Sequence, residues 1–153
     1  MEKITKINPG YNQWLSDLKS KIKRVQIKAA IRVNTELLNF YWELGSDIVK
    51  IQKESSWGDK LIEKLSLDLM SEFNEMKGFS KRNLELIRKW YLFWENENEF
   101  AKQLATQIPW WHNIIIITKI KNIGEAKFYI ENTISYNWSR STLTHQINRL
   151  IIL

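Results

Sequence analysis

Apolar residues recur every three or four positions from Leu15 to Ile51, through Leu18, Ile22, Val25, Ala29, Val33, Leu37, Phe40, Leu44 and Ile48. This spacing lays one apolar stripe along one side of an α-helix. No proline interrupts it, and Gly45 is its only glycine. A helix of about 40 residues is long for a globular protein, so the pattern predicts a kink, a break near Gly45, or a partner laid along the stripe as in a coiled coil. The chain as a whole has five glycines and two prolines in 153 residues. So few turn formers imply long elements, and the expected fold class is all-α. We expect a helical bundle with a long N-terminal helix, a flexible N-terminus at 1–10 and a single helical domain over 11–153.

Several chemistries are excluded by composition. There is no cysteine, hence no disulfide framework and no Cys-based zinc or iron–sulfur site. The two histidines, His112 and His145, are too far apart for an H-E-x-x-H zinc motif. The longest purely aliphatic run is Ile114–Ile117, far short of the roughly 20 residues of a membrane span. The N-terminus lacks the apolar stretch of a signal peptide. These features point to a cytoplasmic protein with no cofactor, metal or membrane partner. Glu125-Ala126-Lys127 matches the bare E-x-K of restriction-type nuclease sites, but those sites use a strand and an upstream aspartate, whereas this segment reads as helix. His112 reads as a core histidine. Eight tryptophans, six phenylalanines and five tyrosines are a heavy aromatic load, suited first to a core and second to interfaces or base stacking.

Beyond the stripe, a loop at 54–58 should precede a helix from about Asp59 to Met76 with Ile62, Leu65, Leu69, Phe73 and Met76 inward. Gly78 can supply a left-handed conformation after that helix. Ser80 is a good N-cap for the next helix, and Phe79 with Leu84 forms a hydrophobic staple across its start. Glu95, Glu97 and Glu99 read as a solvated linker. Pro109 marks a helix start. The Ile114–Ile117 run fits strand or helix, Lys121–Gly124 reads as a turn, and Glu125 to about Tyr136 reads as a helix with Ala126, Ile130 and Ile134 inward. Ser139 repeats the N-cap, with Trp138 and Leu143 as staple. The apolar end, Leu150-Ile151-Ile152-Leu153, suggests further chain or a partner surface.

The net charge is +6, from 23 Lys and Arg against 17 Asp and Glu. Its distribution matters more than its size. The helix from Asp59 leans acidic, whereas the first turns of the helix after Ser80 carry Lys81, Arg82, Arg88 and Lys89 against Glu85 alone. A bracing helix, a turn and a second helix with a basic N-terminal half is what a DNA-binding helix-turn-helix requires. The expected contact residues are Lys81, Arg82, Asn83, Glu85, Arg88 and Lys89. The second capped helix offers Arg140, Ser141, His145 and Arg149, either as a second reading helix, a phosphate clamp or an ordinary amphipathic surface. Lys21, Arg24, Lys28 and Arg32 form a basic stripe that is either a solvated face or, through Arg24 and Lys28 above all, a phosphate contact.

The chain resembles the N-terminal domain of the YhcG-like bacterial family of PDDEXK nucleases. The resemblance runs from about Leu15 to Ile147 and rests on five segments in order. They are Asn34-Thr35-Glu36-Leu37-Leu38-Asn39-Phe40-Tyr41-Trp42-Glu43-Leu44-Gly45, Trp57-Gly58-Asp59-Lys60-Leu61-Ile62-Glu63-Lys64-Leu65-Ser66, Gly78-Phe79-Ser80-Lys81-Arg82-Asn83-Leu84, Ile108-Pro109-Trp110-Trp111-His112, and Phe128-Tyr129-Ile130 through Asn137-Trp138-Ser139-Arg140. It implies a mostly helical, winged-helix-like module that binds duplex DNA and is followed by a C-terminal nuclease domain. The catalytic residues of that domain have no positions here, so the chain is expected to be non-catalytic. Glu75-Met76-Lys77 lengthens the inter-helix turn relative to the family, and no hairpin signal for a wing is present. The competing expectation is a protein-interaction or oligomerisation module, a homodimer built on the Leu15–Ile51 stripe, that regulates the attached nuclease.

Overall fold

The computed structural model describes residues 9–54 and 59–152, with side chains except at 26–33, 59, 100 and 150–152. Expectations for residues 1–8, the loop at 55–58, the side chains of Lys28 and Arg32, and the apolar end fall outside this range. Seven α-helices occur among the described residues: α1 Pro9–Glu54, α2 Asp59–Glu72, α3 Lys81–Trp94, α4 Glu99–Ala105, α5 Trp110–Lys119, α6 Ile123–Tyr136 and α7 Arg140–Ile152. The described residues contain no strand and hence no wing. Among the described residues, no helix is long and apolar enough to cross a membrane. The contacts divide the chain into two compact units, residues 1–89 and 90–153, with α3 running from the first into the second.

In the first unit, α1 is not straight. Trp14 Nε1 donates to Asp47 Oδ2 at 2.9 Å, and Lys21 Nζ lies 3.4 Å from Glu43 Oε1. In a straight helix, positions 14 and 47 would be about 50 Å apart. The chain therefore reverses between Lys21 and Glu43, and the two arms lie antiparallel. The kink expected from its length is present, but Gly45 is buried within the second arm and is not where the reversal occurs. The apolar stripe thus finds its partner in the same chain. Leu18 and Ile22 on the first arm and Leu38, Leu44 and Ile48 on the second are at most 2% exposed. Each such burial contributes about 1.5–3 kcal/mol relative to exposure.

Helix α2 presents Leu61, Leu65 and Leu69 to the interior. It ends at Glu72, one turn earlier than expected, and Phe73 is still buried beyond it. A polar clamp ties the start of α1 to α2. Tyr11 Oη donates to Asp68 Oδ2 at 2.8 Å, and Lys64 Nζ donates to the same oxygen at 2.9 Å. The Lys64 ammonium also sits 5.2 Å from the centre of the Tyr11 ring, a cation–π distance. Burial, followed by the Asp68 carboxylate, pushes the Tyr11 phenol far above its ordinary pKa, so it stays a donor.

The second unit contains what the sequence left open or misplaced. Ile114–Ile117 lies within α5, with Ile114, Ile116 and Ile117 buried; packing on the neighbouring helices outweighs the strand preference of β-branched residues. The expected acidic linker is in part a helix. Asn98 caps α4 by accepting from Ala101 N at 3.1 Å, which puts Glu99 in a first turn where its charge is favourable. Glu97 is bound to Lys127 at 3.1 Å. Asn122 caps α6 by accepting from Glu125 N at 3.0 Å, so the helix starts at Ile123, inside the expected turn. Its inward face is Ala126, Tyr129, Ile130 and Thr133; Ile134, expected inside, is 39% exposed. The centre is held by Asn113, which is 1% exposed. It accepts from Trp90 Nε1 at 3.2 Å and donates to the carbonyls of Ala105, Ile108 and Pro109 at 2.8–3.2 Å. Those carbonyls terminate α4 and lead into α5, so one amide replaces the partners that a tight bend removes.

Two measurements check the clamp. Replacing Asp68 by Ala leaves the Lys64 ammonium, only 7% exposed, without its carboxylate. The loss expected in urea unfolding is about 2–4 kcal/mol. Adding Lys64→Met to that variant should restore much of the loss, because the orphaned charge is then gone.

Candidate nucleic-acid interface

Helix α3 begins as the sequence predicts. Ser80 Oγ accepts from Asn83 N at 3.1 Å, and Ser80 O accepts from Leu84 N at 3.0 Å. The staple residues Phe79 and Leu84 are both buried, at 1% and 0% exposure. Phe79 meets Phe40 edge to face at 6.4 Å and Phe73 at the same distance. Its carbonyl accepts from the buried Ser66 hydroxyl at 2.7 Å. The ring and backbone of one residue thus fix where α3 leaves the core.

The preceding turn is locked as well. Gly78 has φ +111°, a conformation that side chains rarely adopt, and a Cβ there would come within 2.5 Å of the Tyr41 hydroxyl. Asn83 Nδ2 donates to Gly78 O at 2.8 Å, and the Asn83 amide also hydrogen-bonds the Tyr41 hydroxyl. Burial raises the Tyr41 phenol pKa, and the Asn83 contact offsets part of that rise. Asn83 was expected among the base-contacting residues. It is 7% exposed and committed to this lock, so it positions α3 and does not face solvent. Gly78 does take the expected positive φ, but six residues after α2 ends and not at its C-terminus.

The other expected side chains on α3 divide into two groups. Lys81, Arg82, Glu85 and Lys89 are exposed. Lys81 is half exposed and lies 3.7 Å from Glu63 Oε1, a loose surface pair. Arg88 is half-buried, and its Nε donates to Gln52 Oε1 at 2.6 Å. Its partner there is a neutral amide and not a carboxylate. Gln52 lies 36 positions away and no local pattern could have revealed it. Positions 81, 85 and 89 share one helical face, with Arg82 one step beside it. The buried side of the same helix is carried by Leu84, Ile87, Trp90 and Trp94.

In the second unit, Ser139 Oγ accepts from Thr142 N at 3.1 Å and caps α7, again as expected. Arg140, Ser141, His145 and Arg149 are exposed, while Leu143 and Ile147 are buried. No ion pair holds Arg140 or Arg149 among the described residues. Arg24 is exposed on the first arm of α1, and the Lys28 side chain is outside the described set. His112 is a core residue. Its Nε2 lies 2.8 Å from the Trp138 carbonyl and must be the donor, and its Nδ1 is buried without a partner. Glu125 and Lys127 of the E-x-K segment lie on α6, with Lys127 engaged by Glu97. No cluster of carboxylates and histidines able to hold a metal ion occurs among the described residues.

The lock makes a direct prediction. Gly78→Ala requires both a strained φ and displacement of a buried hydroxyl, and should cost about 2 kcal/mol or more in thermal or urea unfolding. Ser80→Ala, which removes only a cap, should cost about 1 kcal/mol.

Comparison with known proteins agrees with the resemblance seen in the sequence. The chain is 24% identical over 169 aligned positions to the Escherichia coli K12 protein named "Putative nuclease YhcG", covering 90% of this chain and 44% of that protein. It therefore spans less than half the length of that relative. No solved structure matches. The profile of the DUF1016 N-terminal domain matches residues 17–152, nearly the whole chain, and the protein belongs to that family.

Proposed function

We propose that this chain is a duplex-DNA-binding module that brings a nuclease, carried by the C-terminal part of the longer protein, to its substrate. In this reading the chain supplies binding and no catalytic chemistry, and the helix-turn-helix works without a wing. The observation that carries the proposal is the division of α3 into two faces: Leu84, Ile87, Trp90 and Trp94 are buried, and the opposite side holds Lys81, Arg82 and Lys89 in solvent with the half-buried Arg88 beside them. Such a helix can lie against phosphates without losing its seat in the core. The relative's name adds support, since a nuclease must reach a nucleic-acid backbone. Phosphate neutralisation would supply most of the affinity and none of the sequence preference.

The oligomerisation reading loses much of its motive, because Leu18, Ile22, Phe40, Leu44 and Ile48 of the α1 stripe are buried within the chain itself. What still supports it is a smaller feature: Leu67 and Met70, one helical turn apart on α2, are 63% and 49% exposed. Light scattering at rising concentration tests that surface, and a dimer abolished by Leu67→Lys would favour it.

Fluorescence-anisotropy titration with duplex DNA tests the main proposal. Four cations on phosphates give a slope of about −3.6 for log K against log salt. Arg82→Glu with Lys89→Glu should weaken binding tenfold or more while the circular dichroism spectrum stays unchanged. Affinity that is flat in salt, or unaffected by the double charge reversal, would remove the basis of the proposal.

A further inference from the structure

The two basic helices differ in chemistry, and that difference assigns them different tasks. With Asn83 withdrawn, the exposed face of α3 is almost wholly charged: Lys81, Arg82, Glu85 and Lys89. The exposed face of α7 is made of hydrogen-bonding groups of several kinds. Arg140, Ser141, Thr144, His145 and Asn148 fall at successive positions on one side, opposite the buried Leu143 and Ile147. Together with Ile115 of α5 they line one open depression, so they converge on a shared accessible surface. Lys119 adds a cation there, its Nζ lying 3.4 Å from Asn148 Oδ1. No Asp or Glu occurs anywhere in 132–153.

The backbone leading into α7 is also the tighter of the two turns. Between α2 and α3 lie residues 73–80, whereas α6 and α7 are joined by 137–139 alone. Asn137 takes the left-handed conformation, φ 51° and ψ 49°, and its N–H returns to Thr133 O. Trp138 N also donates to Thr133 O, at 3.2 Å, closing a Schellman-type end. Ser139 then caps α7 at once. A three-residue turn between two packed helices, backed by α5, is the connection a helix-turn-helix uses to present its reading helix.

We propose that α7, and not α3, carries the sequence preference of the module, reading base edges through Arg140, Ser141, Thr144, His145 and Asn148. The chemistry fits each group. A guanidinium can fork onto guanine, an amide can pair with adenine, hydroxyls can donate or accept, and the Thr144 methyl can meet a thymine methyl. The span from 140 to 148 is about 12 Å along the helix axis, comparable to the width of the major groove. Phosphate contact by α3 sets affinity, and α7 sets preference. This inference rests on the duplex-binding reading and refines it.

The test is selection from a pool of duplexes with a randomised centre, using the full chain. Affinities for the enriched sequence and for a scrambled duplex are then measured for the wild type, Arg140→Ala, Asn148→Ala and Arg82→Gln. We expect an enriched motif, and a fall of tenfold or more in the ratio of enriched to scrambled affinity for Arg140→Ala and Asn148→Ala. Arg82→Gln should lower both affinities together and leave the ratio. Melting temperature serves as the folding control, since all three positions are at the surface. A motif and ratio unchanged in both α7 variants would overturn the inference. So would duplex binding by the wild type with no enrichment, and that outcome would leave the duplex-binding reading standing. No duplex binding at low salt would overturn that reading and this inference with it.

Discussion

An apolar stripe of the length of α1 must be covered along its whole extent, or the helix is unstable in water and the protein associates through it. Here reversal of the chain within α1 covers Leu18, Ile22, Phe40, Leu44 and Ile48. Once the arms lie antiparallel, Trp14 can reach Asp47 and the Leu18 side meets the Leu44 side within one chain. Helix α2 then closes over the paired arms through the Tyr11–Asp68–Lys64 clamp, and Tyr41 on the second arm is left facing the turn before α3. Every later feature of the first unit depends on that reversal. Without it there is no surface for Phe79 to pack on and no hydroxyl for Asn83 to meet.

That dependence explains how a charged surface is positioned by uncharged parts. Lys81, Arg82 and Lys89 make few contacts themselves. Their placement is set by Ser80, Asn83, Gly78 and Phe79, which are tied to backbone groups and to buried rings. The arrangement separates stability from surface charge: the exposed basic groups can be changed without disturbing those that hold the helix. In the second unit the same division recurs, with Ser139, Thr133 and Leu143 holding α7 while Arg140, Ser141, His145 and Asn148 stay exposed.

Local features were legible in the sequence, and long-range ones were not. Ser80 and Ser139 were readable as caps because the signal, a hydroxyl three residues before a free N–H, is contained in four residues. Pro109 was readable for a similar reason. The place of the reversal in α1 was not, because helical periodicity runs straight through it and the only glycine of the apolar stripe, Gly45, points elsewhere. Asn83 illustrates the limit for function. Its position in the first turn of a basic helix suits a base contact, and only the approach of Tyr41 and the Gly78 carbonyl shows that its amide is already used. Ile134 and Thr133 exchanged roles on α6 because the inward face is set by the helices packed around it. Family membership was legible across nearly the whole chain, since the five segments that carried the resemblance span the range that the family profile matches, residues 17–152.

The proposed function places the solvent-facing sides of α3 and α7 against nucleic acid. The most direct measurement is the change in backbone amide NMR shifts when a short DNA duplex is titrated into the labelled chain at low salt. The largest shifts should fall at residues 80–89 and 139–149, with the buried positions of α1 and α2 nearly unmoved. Shifts confined to other surfaces, or none at a duplex concentration that saturates anisotropy, would contradict it.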